Sequence, residues 1–284
     1  MPFAKYRRHD GSAGVAYIEN GIAHPLRPDG SPDRLSELLQ VADPVRMAKA
    51  LIDPSQPATT AALLELLAPV DRQEIWAAGV TYKRSKVARE EESKGAAQFY
   101  DAVYTAPRPE LFLKSTHERV VNPGRPIRVR ADSKWNVPEP ELALVISPDL
   151  RIIGYTIGND VSSRDIEGEN PLYLPQAKIY RGACAIGPVI TATSEMGSIP
   201  ETGIKLVVKR AGQIAFEGTT TLSMMARSLE SLVEWLGKEL DFPNGAILLT
   251  GTGIVPPDDF NLSPRDTVEI TIDGIGTLVN MVTG

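Results

Sequence analysis

Short apolar runs separated by proline, glycine and aspartate dominate the chain from residue 75 onward. Many of these runs are rich in β-branched residues, which is typical of β-strands. They predict strands at 75–80, 111–114, 127–129, 185–190, 204–210, 246–249 and 267–272, and a hairpin formed by 137–146 and 152–160. One predicted helix, near 224–240, interrupts them with leucines at helical spacing. The pattern indicates a loop-rich body made mainly of strands.

The first 70 residues read differently. A hairpin is predicted from 14–18 and 22–25, with Asn20 and Gly21 in its turn. Helical spacing of apolar residues then predicts short helices. These helices are expected at 33–40, 44–52 and 59–67. We therefore expect an α+β protein, mainly β, with a small α/β N-terminal domain over 1–70 and a strand-rich domain over 71–284.

Three carboxylates lie at the open end of the predicted hairpin: Glu139, Glu141 and Asp160. Residues two apart on a strand project from the same face, so the two glutamates point the same way. A loop that leaves Ser147 opposite Ile152 fixes the register of the two strands. Counting back from that pair places Glu139 opposite Asp160. The sequence thus predicts that three acidic side chains meet at one point.

Carboxylates that lie so close together repel each other unless a cation neutralises them. An all-oxygen anionic set suits Mg²⁺, Mn²⁺ or Ca²⁺ and argues against zinc or copper. Prolines on both sides of Glu139 restrict the backbone and lower the cost of presenting the side chains. The alternative is that the glutamates are solvated at a strand entrance and that Asn159-Asp160 is an ordinary turn.

Composition narrows the class of partner. The chain of 284 residues has a formal net charge of −6 and no basic block that could track a phosphate backbone, so nucleic acid is not expected. No apolar run is long enough to span a bilayer, and the charged N-terminus does not resemble a secretory signal. The single cysteine, Cys184, is flanked by alanines and is expected to be a small buried residue. These features fit a cytoplasmic protein.

Three further features each allow two interpretations. Lys178 is either a surface residue or a catalytic or anion-pairing group, because it follows the carboxylate hairpin within an apolar stretch. Thr252 stands between two glycines at a strand end, which indicates either a tight turn or a backbone that approaches a ligand. The charged stretch 80–98 is either a solvated helix face or a mobile lid.

Four separated motifs carry a resemblance to a known family. They are 138–143 (PEPELA), 158–165 (GNDVSSRD), 176–178 (QAK) and 251–253 (GTG). In this order they resemble the signatures of the fumarylacetoacetate hydrolase superfamily, over roughly residues 75–284. The resemblance implies a mixed β-sandwich roll and a Mg²⁺ held by Glu139, Glu141 and Asp160. It also implies an active-site Lys178 and a substrate-facing Thr252.

Two departures from the common pattern of that family point to one branch of it. Many hydrolase and decarboxylase members carry a histidine at the start of the lid, where this chain has Ser85. Glu110 stands where many relatives have no glutamate. The chain is most similar to the branch that dehydrates 2-keto-3-deoxy pentonates, which implies a metal-dependent lyase of pentose catabolism that forms α-ketoglutarate semialdehyde. Relatives also suggest a homodimer or homotetramer.

For such a dehydration we expect Lys178 and Glu110 to be the acid-base pair, with either residue as the base. Arg84, Thr252 and Lys178 are expected to bind the α-keto acid substrate. Three rivals remain. One is acylpyruvate hydrolysis or oxaloacetate decarboxylation within the same superfamily, which the missing histidine disfavours. The second is Schiff-base chemistry at Lys178. The third is a non-catalytic protein that binds a structural divalent metal through the acidic residues.

Overall fold

The apolar runs of the sequence form strands in the computed structural model, which describes residues 2–27, 35–83 and 102–284. The strands are β1 (Pro2–Arg7), β2 (Ala13–Glu19), β3 (Ile22–Pro25), β4 (Thr59–Thr60), β5 (Leu66–Leu67), β6 (Glu74–Gly79), β7 (Glu110–Ser115), β8 (Ile127–Arg128), β9 (Asn136–Val137), β10 (Pro140–Ile146), β11 (Ile152–Asp160), β12 (Ser162–Ser163), β13 (Cys184–Ala192), β14 (Gly203–Arg210), β15 (Gln213–Thr221), β16 (Ala246–Leu249), β17 (Thr267–Ile272) and β18 (Gly276–Thr283). The α-helices that lie wholly within the described residues are α1 (Leu35–Leu39), α2 (Pro44–Leu51), α3 (Arg164–Glu169), α4 (Leu174–Lys178) and α5 (Leu229–Leu236). None of the described helices has the length and apolar character needed to cross a membrane.

The strands form two main sheets. The larger sheet has the order β4-β3-β2-β1-β13-β11-β10-β16-β6-β7, and β5 also pairs with β1. The smaller sheet has the order β15-β14-β17-β18-β8. Neighbouring strands are mostly antiparallel, but β16 pairs with β6 and β18 with β8 in parallel, so both sheets are mixed. A short β9-β12 pair stands apart from them.

Strand β10 is buried on both faces along its whole length. Its side chains at Leu142, Leu144 and Ile146 belong to the core that includes the smaller sheet. The alternating side chains at Ala143 and Val145 belong to a second core, formed with the N-terminal strands and helices. Burial on both faces explains why this strand reads as an unbroken apolar run. The prediction of a mainly β, mixed β-sandwich is confirmed.

The N-terminal segment extends the larger sheet. Strand β1 pairs with β13, with Phe3 opposite Ile190. The predicted hairpin is present as β2 and β3, and Asn20 and Gly21 have φ of 51° and 78°. Two successive residues with positive φ are what a two-residue type I′ turn requires. The boundary between an N-terminal and a catalytic domain at residue 70 stays a prediction.

The predicted helix at 59–67 is wrong. These residues form β4, a 3₁₀ turn at Ala61–Leu63 and β5. In β5, Leu66 pairs with Tyr6 of β1, and Leu67 pairs with Lys5. Strand pairing therefore overrides the local helix preference of this alanine- and leucine-rich stretch. The helix predicted near 224–240 is shorter than expected, because Ser228 caps its start and Gly237 its end.

Cys184 is the first residue of β13 and is 2% exposed, as the flanking alanines predicted. Burial raises the pKa of its thiol to about 12. Because the reactive form of cysteine is the thiolate, this residue is suited to packing and not to nucleophilic chemistry.

Candidate metal centre

The hairpin of β10 and β11 brings Glu139 and Asp160 together. Pro140 pairs with Asn159, and the Asp160 N–H donates to the Glu139 carbonyl at 3.0 Å. The predicted register is therefore present at the open end of the hairpin. At the loop it differs by one residue, because Ile146 faces Ile152 and a bulge restores the register beyond them.

The three predicted carboxylates meet in the protein interior. One oxygen from each of Glu139, Glu141 and Asp160 can be chosen so that all three oxygens lie within 4.8 Å of one another. The residues are only 4%, 1% and 1% exposed, respectively. This burial contradicts the alternative in which they are solvated side chains at a strand entrance. Their role as metal ligands stays a prediction, but the geometry that the role requires is present.

The Gly251 N–H orients one member of this trio. It donates to Glu141 Oε2 at 2.5 Å. Gly251 has φ of 90°, and a side chain there would overlap the hydroxyl of Thr81. Glycine is therefore needed for the backbone to approach Glu141. The neighbouring Thr252 is buried and lines the same small cavity as the carboxylates, where its hydroxyl accepts from the Ile254 N–H at 3.2 Å.

Lys178 lies at the C-terminal end of α4 and is 3% exposed, so the interpretation as a surface lysine is wrong. Its Nζ donates to Glu139 Oε2 at 2.9 Å, to Asp160 Oδ2 at 3.1 Å and to Ser162 Oγ at 2.6 Å. The ammonium also lies 5.6 Å from the centre of the Phe112 ring. Lys178 therefore pairs with anionic side chains, as one of its two interpretations predicted. A catalytic role of this residue stays a prediction.

Glu110 reaches the same cavity from β7. It pairs with Gly79 of β6, and a side chain at residue 79 would overlap the Glu110 carboxyl group. The glycine therefore makes room for the acid beside the trio. Arg84 and Ser85 lie outside the described residues, as does most of the segment 80–98, so the predicted lid and the predicted substrate contact of Arg84 are not tested.

Sequence reasoning did not single out three further charged residues of the site. Lys114 Nζ forms an ion pair with Asp160 Oδ1 at 2.5 Å, and Arg164 Nε donates to Glu139 Oε1 at 3.2 Å. Glu167, 4% exposed, lines the cavity from α3. Their positions in the sequence are a signal, since Lys114 lies in the same strand as Glu110, and Arg164 and Glu167 closely follow the end of β11.

The charges of the site explain what it could bind. Burial raises the pKa of Glu141 well above its usual value, and the negative charges of Asp160 and Glu139 raise it further. Lys178 and the Gly251 N–H act in the opposite direction. A divalent cation would relieve this repulsion, and carboxylate oxygens are the ligands that Mg²⁺, Mn²⁺ and Ca²⁺ prefer. The described residues therefore fit such an ion.

A mixed β-sandwich that buries three carboxylates at the end of one hairpin defines a protein equipped to bind a divalent cation. The chain belongs to the fumarylacetoacetate (FAA) hydrolase C-terminal family, whose family model matches residues 74–283. The match begins at β6 and ends within β18, and it includes every described site residue named above. The resemblance drawn from the four motifs is confirmed.

Two curated relatives and one solved structure are similar over most of the chain. A probable 2-keto-3-deoxyxylonate dehydratase of Haloferax volcanii is 50% identical over 215 residues, which are 76% of this chain and 74% of the relative. A 2-dehydro-3-deoxy-D-arabinonate dehydratase of Saccharolobus solfataricus is 44% identical over 222 residues, 77% of this chain and 74% of the relative. The structure of 2-keto-3-deoxy-D-arabinonate dehydratase complexed with magnesium and 2,5-dioxopentanoate has a TM-score of 0.83 and 35% identity, and covers 100% of this chain and 99% of its own.

The Glu141→Gln variant separates metal binding from folding. The amide oxygen can still accept from the Gly251 N–H, but the negative charge is lost. Without metal we expect a melting temperature equal to or above that of the wild type, because a buried repulsive carboxyl group is gone. With Mn²⁺ at 100 times the wild-type Kd, the wild type should gain about 2.7 kcal/mol of stability. The variant should gain much less.

Thermal melts with and without Mn²⁺ measure both effects. Glu269→Gln is the matched control, because Glu269 is ion-paired with Lys209 in the smaller sheet. Equal Mn²⁺ stabilisation of wild type and Glu141→Gln would remove Glu141 from the ligand set.

Proposed function

We propose that this protein is a magnesium-dependent dehydratase that removes water from a 2-keto-3-deoxy pentonate to give 2,5-dioxopentanoate (α-ketoglutarate semialdehyde). The observation that carries the proposal is the buried cavity that joins the three carboxylates, Lys178 and Glu110. It combines an all-oxygen cation site with two groups able to transfer protons. The two curated relatives named as dehydratases, at 50% and 44% identity, support the same reaction.

Glu139, Glu141 and Asp160 would hold the magnesium ion. When bound, the ion supplies a Lewis-acid charge that polarises the C2 carbonyl of an α-keto acid and makes the C3 protons more acidic. The solved relative that contains magnesium and 2,5-dioxopentanoate supports both the metal and the product. Thr252 lines the cavity and offers a hydroxyl group to the substrate, and Arg84 is proposed to bind the substrate from the adjacent segment.

Dehydration needs one group that takes a proton from C3 and one that gives a proton to the hydroxyl leaving C4. Lys178 Nζ donates three hydrogen bonds and therefore carries a proton that it can give. The Glu110 carboxylate, on the neighbouring wall of the cavity, is the group that accepts one. Loss of H⁺ from C3 and of OH⁻ from C4 amounts to one water and leaves a C3=C4 double bond beside the C5 alcohol. Loss of a proton from C5 and addition of one at C3 turns this allylic alcohol into a C4=C5 enol, which tautomerises to the 2,5-dioxo acid.

The contacts of Lys178 argue against the Schiff-base alternative. A nucleophilic lysine needs an unprotonated amine, which enzymes favour with an apolar pocket or a second cation. Here Nζ forms ion pairs with two carboxylates within 3.1 Å. An ammonium that donates to three acceptors has no lone pair with which to attack a carbonyl.

A coupled assay with purified protein tests the reaction. We expect semialdehyde to form from a 2-keto-3-deoxy pentonate, to stop in EDTA and to resume when Mg²⁺ is restored. Oxaloacetate and acylpyruvates should give turnover at least about 1,000-fold lower, because a polar site loses that much when its buried groups are mismatched. Dehydration that persists in EDTA would contradict the metal-dependent proposal, and preferred turnover of oxaloacetate would contradict the substrate class.

Glu110→Gln should abolish dehydration by removing the base while leaving the metal site in place. General-base removal typically costs 100- to 10,000-fold, so we expect a kcat lower by about that factor. Exchange of the C3 protons of 2-oxopentanoate with deuterated water, followed by NMR, isolates the first proton transfer. The variant should lose this exchange and keep the wild-type Kd for Mn²⁺. Exchange at the wild-type rate would assign the base to another residue.

We also propose a homodimer or homotetramer located in the cytoplasm. Apolar side chains exposed on the outer side of the smaller sheet support an assembly, among them Val279 and Met281, which are 37% and 54% exposed. Buried side chains of the same strand, such as Leu278, lie on its other face. Sedimentation equilibrium should give a mass of two or four chains. A mass of one chain at micromolar concentration would contradict the assembly.

A further inference from the structure

A second buried lysine lies beneath the site. The Lys114 side chain is in β7 and has 0% exposure, while the Asp160 side chain that it meets has 2%. Burying an ammonium is costly unless all of its donors find acceptors. The Lys114 ammonium therefore needs partners within the protein.

The three contacts of the Lys114 ammonium are with segments that build the site. Its Nζ lies 2.5 Å from Asp160 Oδ1 and donates to the carbonyls of Val161 at 2.9 Å and of Lys178 at 2.5 Å. Two of these contacts are hydrogen bonds to carbonyl oxygens, and the third is an ion pair with a carboxylate oxygen. The Lys178 carbonyl ends α4, where no further helical N–H is available to pair with it.

Lys114 Nζ thus contacts both the Asp160 carboxylate and the C-terminal end of α4. Asp160 forms ion pairs with Lys114 through Oδ1 and with Lys178 through Oδ2, so each of its oxygens has a cation beside it. The same Nζ of Lys114 holds the main chain of Lys178 itself. Glu110 and Phe112 line the cavity from β7, and Lys114 follows them where the pairing of β7 with β6 shifts by one residue.

We propose that Lys114 is a positioning residue that sets the Asp160 carboxylate for metal binding and fixes the main chain from which Lys178 reaches the substrate. The proposal rests on the metal-dependent function given above. Lys114 acts through Asp160 and Lys178, since its own side chain has 0% exposure and does not line the cavity. Partners of metal ligands typically change metal affinity or activity by 10- to 100-fold when they are removed.

A purely electrostatic role of Lys114 predicts the opposite change in metal affinity. A positive charge close to a cation site repels the metal, so removing it would tighten binding if charge alone mattered. A positioning role predicts weaker binding, because Asp160 loses the contact that orients it. The direction of the change in Mn²⁺ affinity therefore separates the two roles, and no substrate is needed to measure it.

The test compares Lys114→Met with the wild type after EDTA treatment, using Mn²⁺ titration followed by electron paramagnetic resonance. The measurement is made well below the melting temperature of the variant. The variant is used only if its circular dichroism spectrum matches that of the wild type. We expect a Kd for Mn²⁺ about 10- to 100-fold higher. Lys209→Met is the matched control, because Lys209 is ion-paired with Glu269 away from the site, and its Kd should not change.

Activity at saturating Mg²⁺ tests the Lys178 half of the proposal. If Lys114 also positions Lys178, kcat for the pentonate stays reduced when the metal site is full. Complete recovery of kcat would overturn that half. A Kd for Mn²⁺ equal to or lower than that of the wild type would overturn the Asp160 half.

Lys114→Arg keeps the test decisive if the methionine variant does not fold. Arginine retains the charge but presents a larger, planar head that does not fit the two carbonyls and the carboxylate oxygen arranged around an ammonium. We expect Mn²⁺ binding about tenfold weaker than in the wild type. Wild-type affinity in this variant would show that the geometry of the lysine is not needed. Failure of the wild type itself to bind Mn²⁺ would instead contradict the proposed function.

Discussion

Opposite charges buried side by side are the constraint on which the site depends. Glu139, Glu141 and Asp160 are almost fully removed from solvent, and Lys114 and Lys178 lie within 3.1 Å of oxygens of Glu139 and Asp160. Each ion costs several kcal/mol to bury, and a charge left without its partner is strongly destabilising. The chain must therefore place every member of the cluster accurately. A site that must be this accurate is already preorganised for a metal and for proton transfer.

The fold meets this constraint by assembling the cluster from the ends of strands. The carboxylates come from the β10-β11 hairpin, in which β10 is buried on both faces. The lysines come from β7 and from the end of α4. Gly251, which follows β16, supplies a backbone N–H to Glu141. Elements packed in this way leave their side chains little freedom, so residues in and beside the sheet hold the cluster in one arrangement.

The hairpin and its acidic trio could be predicted because they are local. The alternation of side chains along each strand and the position of one loop determine which residues meet. The bulge near Ile146 shifts only the pairs next to the loop. Lys178 remained ambiguous, because its partner Glu139 is 39 residues away in sequence. Lys114 was missed for the same reason, since a lysine in a strand shows no sign of a distant carboxylate. The helix expected at 59–67 failed where pairing with β1 decided the structure.

The central claim is that one divalent cation is held by the three buried carboxylates. Crystals soaked in Mn²⁺ and measured at the manganese absorption edge test it most directly. The account predicts one strong anomalous peak in contact with oxygens of Glu139, Glu141 and Asp160. A cluster in which Lys178 keeps both carboxylate contacts and no anomalous peak lies among the three residues would contradict it.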